Sequence, residues 1–82
     1  MIEIGERIFV IAAFGRSIRL KPLRFTWSNR QVDIKDVTYE WTTSEGASKL
    51  LHFSVTDGST LYELSFNTAS ISWMLEGVET EG

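Results

Sequence analysis

The chain reads as a single all-β domain, a strongly curved antiparallel meander of five to six strands forming a half-barrel or small open barrel. Three observations predict this. Apolar residues recur with a period of two over nearly the whole chain, the alternation of a strand with one buried face and not the 3.6 of a helix. Clusters of turn residues, among them Ser28-Asn29-Arg30, Asp57-Gly58-Ser59 and 67–70, cut the apolar pattern into short runs. The 82 residues leave room for one core only, and six short strands around one core must twist and curl rather than lie flat. Residues 1–82 therefore form one small β domain, with an acidic, glycine-ended tail at 79–82 expected to fray.

The run Ile8-Phe9-Val10-Ile11-Ala12-Ala13-Phe14 lacks polar alternation and is rich in β-branched residues, which suits a strand with both faces covered. Leu23, Phe25 and Trp27 alternate with Arg24, Thr26 and Ser28, and the one proline, Pro22, stands at the start of this strand, where a ladder tolerates it. After the turn at Ser28-Asn29-Arg30, Val32 and Ile34 begin a strand that Val37, Tyr39 and Trp41 continue in the opposite phase. One residue inserted near Lys35 or Asp36, a β-bulge, would keep both sets on the core face. The stretch 42–48 has no large apolar residue and is a connection. Leu51, Phe53 and Val55, then Asp57-Gly58-Ser59, then Tyr62, Leu64 and Phe66 spell a β-hairpin. A loop at 67–70 leads to a third strand with Ile71, Trp73 and Leu75. The expected core is Val10, Leu23, Phe25, Trp27, Val32, Ile34, Val37, Tyr39, Trp41, Phe53, Val55, Tyr62, Leu64, Phe66, Ile71, Trp73 and Leu75.

Composition narrows the function. The hydrophobic share of 43% and the aromatic share of 12% are those of a folding domain and not of a disordered chain. With no cysteine, disulfides and thiolate metal sites are excluded. The longest apolar run is too short to span a bilayer and follows Glu3 and Glu6, so we expect no signal peptide, no membrane partner and a cytoplasmic location. His52, the one histidine, falls on the polar phase of its strand and is expected to be exposed, without a carboxylate or nucleophile in its pattern. Asp33, Asp36 and Asp57 fit no Ca²⁺-loop spacing, the glycines form no phosphate cradle, and no serine lies in a nucleophile elbow. No catalytic, cofactor-binding or metal-ligating residue is expected, and the chain is read as a non-enzyme.

Two surfaces stand out. The net charge of −3 argues against a dedicated nucleic-acid binder, yet residues 1–41 hold seven basic side chains against five acidic ones, while 42–82 hold Lys49 alone against six acids. Arg16, Arg19, Lys21, Arg24 and Arg30, with Phe25 and Trp27 among them, form an acid-free segment of the kind that contacts phosphates and stacks on bases. Phe25 and Trp27 share the core phase, however, so the solvated edge of a sheet is the leading reading of that segment. The second surface is apolar. Phe9, Ile11, Leu50, Leu61 and Met74 all fall on the phase opposite the core and together suit self-association or a protein partner. The leading expectation is a non-catalytic protein-binding module using that face, the alternative a nucleic-acid-associated accessory domain using 16–30, and a small-molecule carrier in a half-open barrel the third.

The spacing Pro22-x-x-Phe25-x-Trp27-x-x-Arg30, then Val37 to Trp41, Asp57-Gly58, Tyr62-Glu63-Leu64 and Trp73, resembles a family of short uncharacterised bacterial β-rich domains. Those are similar to segments found with bacterial Y-family-like polymerase accessory proteins. The resemblance covers residues 7–78 and implies a shared β fold and an accessory role beside DNA-repair polymerases. It brings no catalytic residue.

Overall fold

The computed structural model describes residues 1–16 and 19–80, all in one antiparallel system of strands. In chain order these are β1 (Ile2–Ala13), β2 (Lys21–Trp27), β3 (Arg30–Asp33), β4 (Asp36–Glu45), β5 (Ser48–Thr56), β6 (Thr60–Asn67) and β7 (Ser72–Thr80). They form a single sheet ordered β3-β2-β1-β7-β6-β5-β4. The architecture is all-β and antiparallel, with seven strands in place of the expected five to six. The added strand arises because the run expected to span 32–41 breaks at residues 34–35 into β3 and β4.

That break shapes the molecule. A flat seven-stranded sheet separates its edges by about 29 Å, six spacings of ~4.8 Å. Here the two edge strands, β3 and β4, are joined by residues 34–35 alone, and three Cα steps reach at most about 11 Å. The backbone N–H of Ile34 donates to the Leu23 carbonyl at 3.0 Å and that of Lys35 to the Thr56 carbonyl at 2.8 Å, so consecutive amides tie into β2 and β5. The sheet therefore bends until its edges meet at one end. It does not close, since no ladder joins β3 to β4 among the described residues. The extents of 36 × 28 × 23 Å agree with a folded-over sheet.

The bend gives the core two walls. Phe25 and Val32 of the β2–β3 hairpin face Phe53, Val55, Tyr62, Leu64 and Leu75 of the β5–β6–β7 meander, and all seven are buried. Phe25 meets Tyr62 edge-on at 5.0 Å, and Trp27 meets it at 6.4 Å. Val10, Ile34, Val37, Phe66 and Trp73 pack around this cluster half-buried. The hairpin has the expected register: Leu51 opposes Phe66, Phe53 opposes Leu64, and Val55 opposes Tyr62.

Three expected core residues are exposed, each for a local reason. Leu23 is the extra residue of a bulge where β1 and β2 shift register between Ile11 and Ala12, and Pro22 turns inward in its stead. The bulge in β4 sits at Thr38 and not at Lys35 or Asp36, so Tyr39 opposes Ser54 and Trp41 opposes His52 on the outer face. Ile71 ends the turn begun by Asn67, whose Oδ1 accepts from the amides of Ala69 and Ser70, and it holds a left-handed φ of 54°. Other boundaries also move. Residues 42–45 belong to β4, and only Gly46 and Ala47 separate β4 from β5. Glu79 and Thr80, expected to fray, pair with Leu61 and Thr60 in β7, while Glu81 and Gly82 lie outside the described residues. The unalternating β1 has just one covered face, because Phe9 and Ile11 are exposed.

Candidate functional site

Register fixes which side chains share the outer face. In β5, Phe53 and Val55 are buried, so Leu50, His52, Ser54 and Thr56 point outward, opposite Asn67, Ser65, Glu63 and Leu61 of β6. Met74 continues the row from Ser65 and faces Arg7 of β1, and Phe9 and Ile11 follow Arg7 on the same face. Phe9, Ile11, Leu50, Leu61 and Met74 therefore all lie on the outer face, though not as one patch. Leu50 and Met74 are half-buried in a shallow groove they share with Arg7, Ser65, Asn67 and Glu76. Leu61 is half-buried at the opposite end of β6.

Phe9 and Ile11 are different. They belong to a group of large apolar side chains at one end of the sheet, Phe9, Ile11, Phe14, Leu23 and Ile71, exposed by between 42% and 81%. Leu23 precedes Arg24, the partner of Ile11, and Ile71 lies two residues before Trp73, the partner of Ile8. Sequence phase singled out Phe9 and Ile11. Leu23 and Ile71 escaped it because their exposure follows from a bulge and a left-handed turn.

The basic segment is dispersed. Arg24 Nε donates to Asp33 Oδ1 at 2.6 Å, an ion pair across the β2–β3 ladder. Arg30 begins β3 beyond the tight turn at Ser28-Asn29, where both residues have positive φ. Arg19 and Lys21 line a cleft of about 310 Å³ together with Leu20, Asp36, Val37 and Glu40. Arg16 is exposed in the β1–β2 connection, of which Ser17 and Ile18 lie outside the described residues. Phe25 is in the core, and the Trp27 indole N–H donates to Glu6 Oε2 at 2.7 Å. Phe25 is thereby withdrawn from any stacking role, whereas the half-buried Trp27 stands directly across the ladder from Arg30.

His52 departs from expectation. Its side chain is only 11% exposed, because the bulge at Thr38 brings Trp41 over it, the two rings parallel within 4° and 4.9 Å apart. Nε2 lies 2.7 Å from Thr43 Oγ1, while Nδ1 is buried without a hydrogen-bond partner and 3.9 Å from Glu63 Oε2. Phase alone sets His52 outward, and its cover comes from a neighbouring strand. Two further groups are shifted by their surroundings. Asp57, whose Oδ1 accepts from the amides of Ser59 and Thr60, is held below the ordinary carboxylate value chiefly by the Ser59 amide. Tyr62 is raised above the ordinary phenol value, first by burial and then by the Asp57 charge.

No group of three or more His, Asp or Glu side chains among the described residues is placed to hold a metal ion, and no helix among them is long and apolar enough to cross a membrane. No family model, curated protein or solved structure matches the chain.

Proposed function

We propose that this domain is a non-catalytic interaction module that engages a protein surface, on a partner or on a second copy, through the apolar end of its sheet formed by Phe9, Ile11, Phe14, Leu23 and Ile71. One observation carries this reading: of the eight large apolar side chains exposed among the described residues, five fall along 9–14 or in segments that register beside it, Leu23 next to the partner of Ile11 and Ile71 two residues before the partner of Ile8, where scattered single residues would mean nothing. Ile71 adds weight, since a β-branched residue in the left-handed region is costly and glycine or asparagine would serve the turn better. We read the bent, open sheet as a half-barrel that holds β1 rigid behind the patch. The alternative use of 16–30 on nucleic acid draws less support, as Arg24 is already engaged by Asp33 and the cleft that holds Arg19 and Lys21 is lined also by Asp36 and Glu40. The accessory role beside repair polymerases rests on the sequence resemblance alone.

The test is photocrosslinking. A benzophenone amino acid at Phe14 should yield a discrete adduct in cells expressing the protein, and the same label at exposed Gln31 should yield none. Phe9→Ser with Ile11→Ser should abolish the adduct while leaving the far-UV circular dichroism unchanged. Absence of any adduct at Phe14, together with a monomer by sedimentation at millimolar concentration, would overturn the reading.

A further inference from the structure

A second surface is independent of the apolar end. β4 is ten residues long and has β5 on one side only, so its other row of backbone N–H and C=O groups has no strand partner among the described residues. Such an edge is a template for another strand unless the protein guards it. Here the guards are all of one sign: β4 carries Asp36, Glu40 and Glu45 and no basic side chain. Antiparallel pairing of β4 with its copy would set carboxylates against carboxylates, and like charges across a ladder are destabilising. The same charges favour a cationic strand.

The two faces of β4 define that strand further. Its register with β5 puts Asp36, Tyr39, Trp41, Thr43 and Glu45 on the outer face, opposite Thr56, Ser54, His52, Leu50 and Ser48. Carboxylates stand at both ends of this row, and between them the rings of Tyr39 and Trp41, 5.5 Å apart, offer seats for Lys or Arg by cation–π attraction. On the inner face Val37 and Glu40 border the cleft of about 310 Å³ whose far bank is Arg19, Leu20 and Lys21. Asp36 and Glu40 offset Arg19 and Lys21 there, so the cleft offers no net attraction to a further cation, while Leu20 and Val37 accept apolar side chains. We propose that the free edge of β4 accepts an extended peptide strand whose outward side chains are Lys or Arg and whose inward side chains are apolar. Main-chain hydrogen bonds supply the affinity and the alternating side chains the selectivity, as in other additions of a strand to a sheet edge.

The probe is a capped eight-residue peptide alternating Arg and Val, titrated into the full chain and followed by backbone-amide NMR. Saturable binding is expected, with shifts concentrated in β4 and at Leu20 and Lys21. Two control peptides carry N-methyl groups on the Arg or on the Val amides. One of them should bind at least tenfold more weakly, because it blocks the edge-facing donors. Glu in place of Arg should abolish binding, and Tyr39→Ala with Glu45→Lys, two exposed changes, should weaken it about tenfold without altering the circular dichroism. Equal binding of both N-methylated peptides would reduce the effect to charge adsorption and overturn the proposal. Shifts confined to Phe9, Ile11 and Leu23 would also overturn it, and would assign the peptide to the apolar end. A free chain that dimerises with its β4 amides protected from exchange would give the edge to a second copy, again overturning it.

Discussion

Phe25→Ala tests whether the two walls of the bent sheet hold each other. Phe25 is 1% exposed and reaches from β2 to the Tyr62 ring of β6, 5.0 Å away. Its truncation removes a buried aromatic side chain and leaves a cavity at the contact between walls, for which ~3–5 kcal/mol is the usual cost, the edge-on ring contact included. A chain of 82 residues has a total stability of about 4–12 kcal/mol, so this one change removes a large part of it. With an unfolding entropy of ~2.1 cal/mol/K per residue, each kcal/mol shifts Tm by roughly 6 °C. Phe25→Ala should therefore lower Tm by about 20 °C or more, and Phe25→Leu, at ~1–2 kcal/mol, by about 6–12 °C. Phe9→Ala, an equal truncation at a side chain 69% exposed, should change Tm by no more than about 3 °C. Thermal unfolding followed by circular dichroism measures all three. A Phe25→Ala shift as small as that of Phe9→Ala would refute the packing of β2 against β6.

Ile71→Gly should stabilise the domain by up to about 1 kcal/mol, read as a higher urea midpoint, because it relieves a left-handed β-branched residue at an exposed turn; a loss of stability would mean that the side chain is packed. Asp57→Asn keeps an acceptor for the Ser59 and Thr60 amides but removes the charge they stabilise. Since the folded-state value of Asp57 is depressed below 3.8, its contribution is present above that pH and lost as pH falls through the folded value. Wild-type Tm should consequently drop more steeply than that of the variant below pH 4, and parallel curves would contradict this. Glu6→Ala leaves the Trp27 indole N–H without its carboxylate and should cost ~1 kcal/mol, or about 1 M in urea midpoint for a domain this small; Glu6→Gln, which keeps an acceptor, should cost less.

The class, the hairpin and the sidedness of most strands follow from local residue order. A period of two is a property of neighbouring residues, so Phe53, Val55, Tyr62, Leu64 and Leu75 could be assigned to the buried face, and Phe9, Ile11, Leu50, Leu61 and Met74 to the other, from the order of residues alone. The turns were legible for the same reason, since Asn67 and Asp57 bind amides two and three residues onward. What the tertiary structure decided lies at the irregularities. A bulge inverts every later side chain in its strand, so moving it to Thr38 took Tyr39 and Trp41 from the core and laid Trp41 over His52. The bulge at Leu23 likewise opened an apolar residue to solvent. Which edge stayed unpaired, and which cations fell beside which acids, depended on strand order, and strand order is a contest among long-range pairings that no local pattern records. The basic segment, continuous in sequence from Arg16 to Arg30, was dispersed because its strand turns back on itself at Ser28-Asn29 and its arginines face different neighbours.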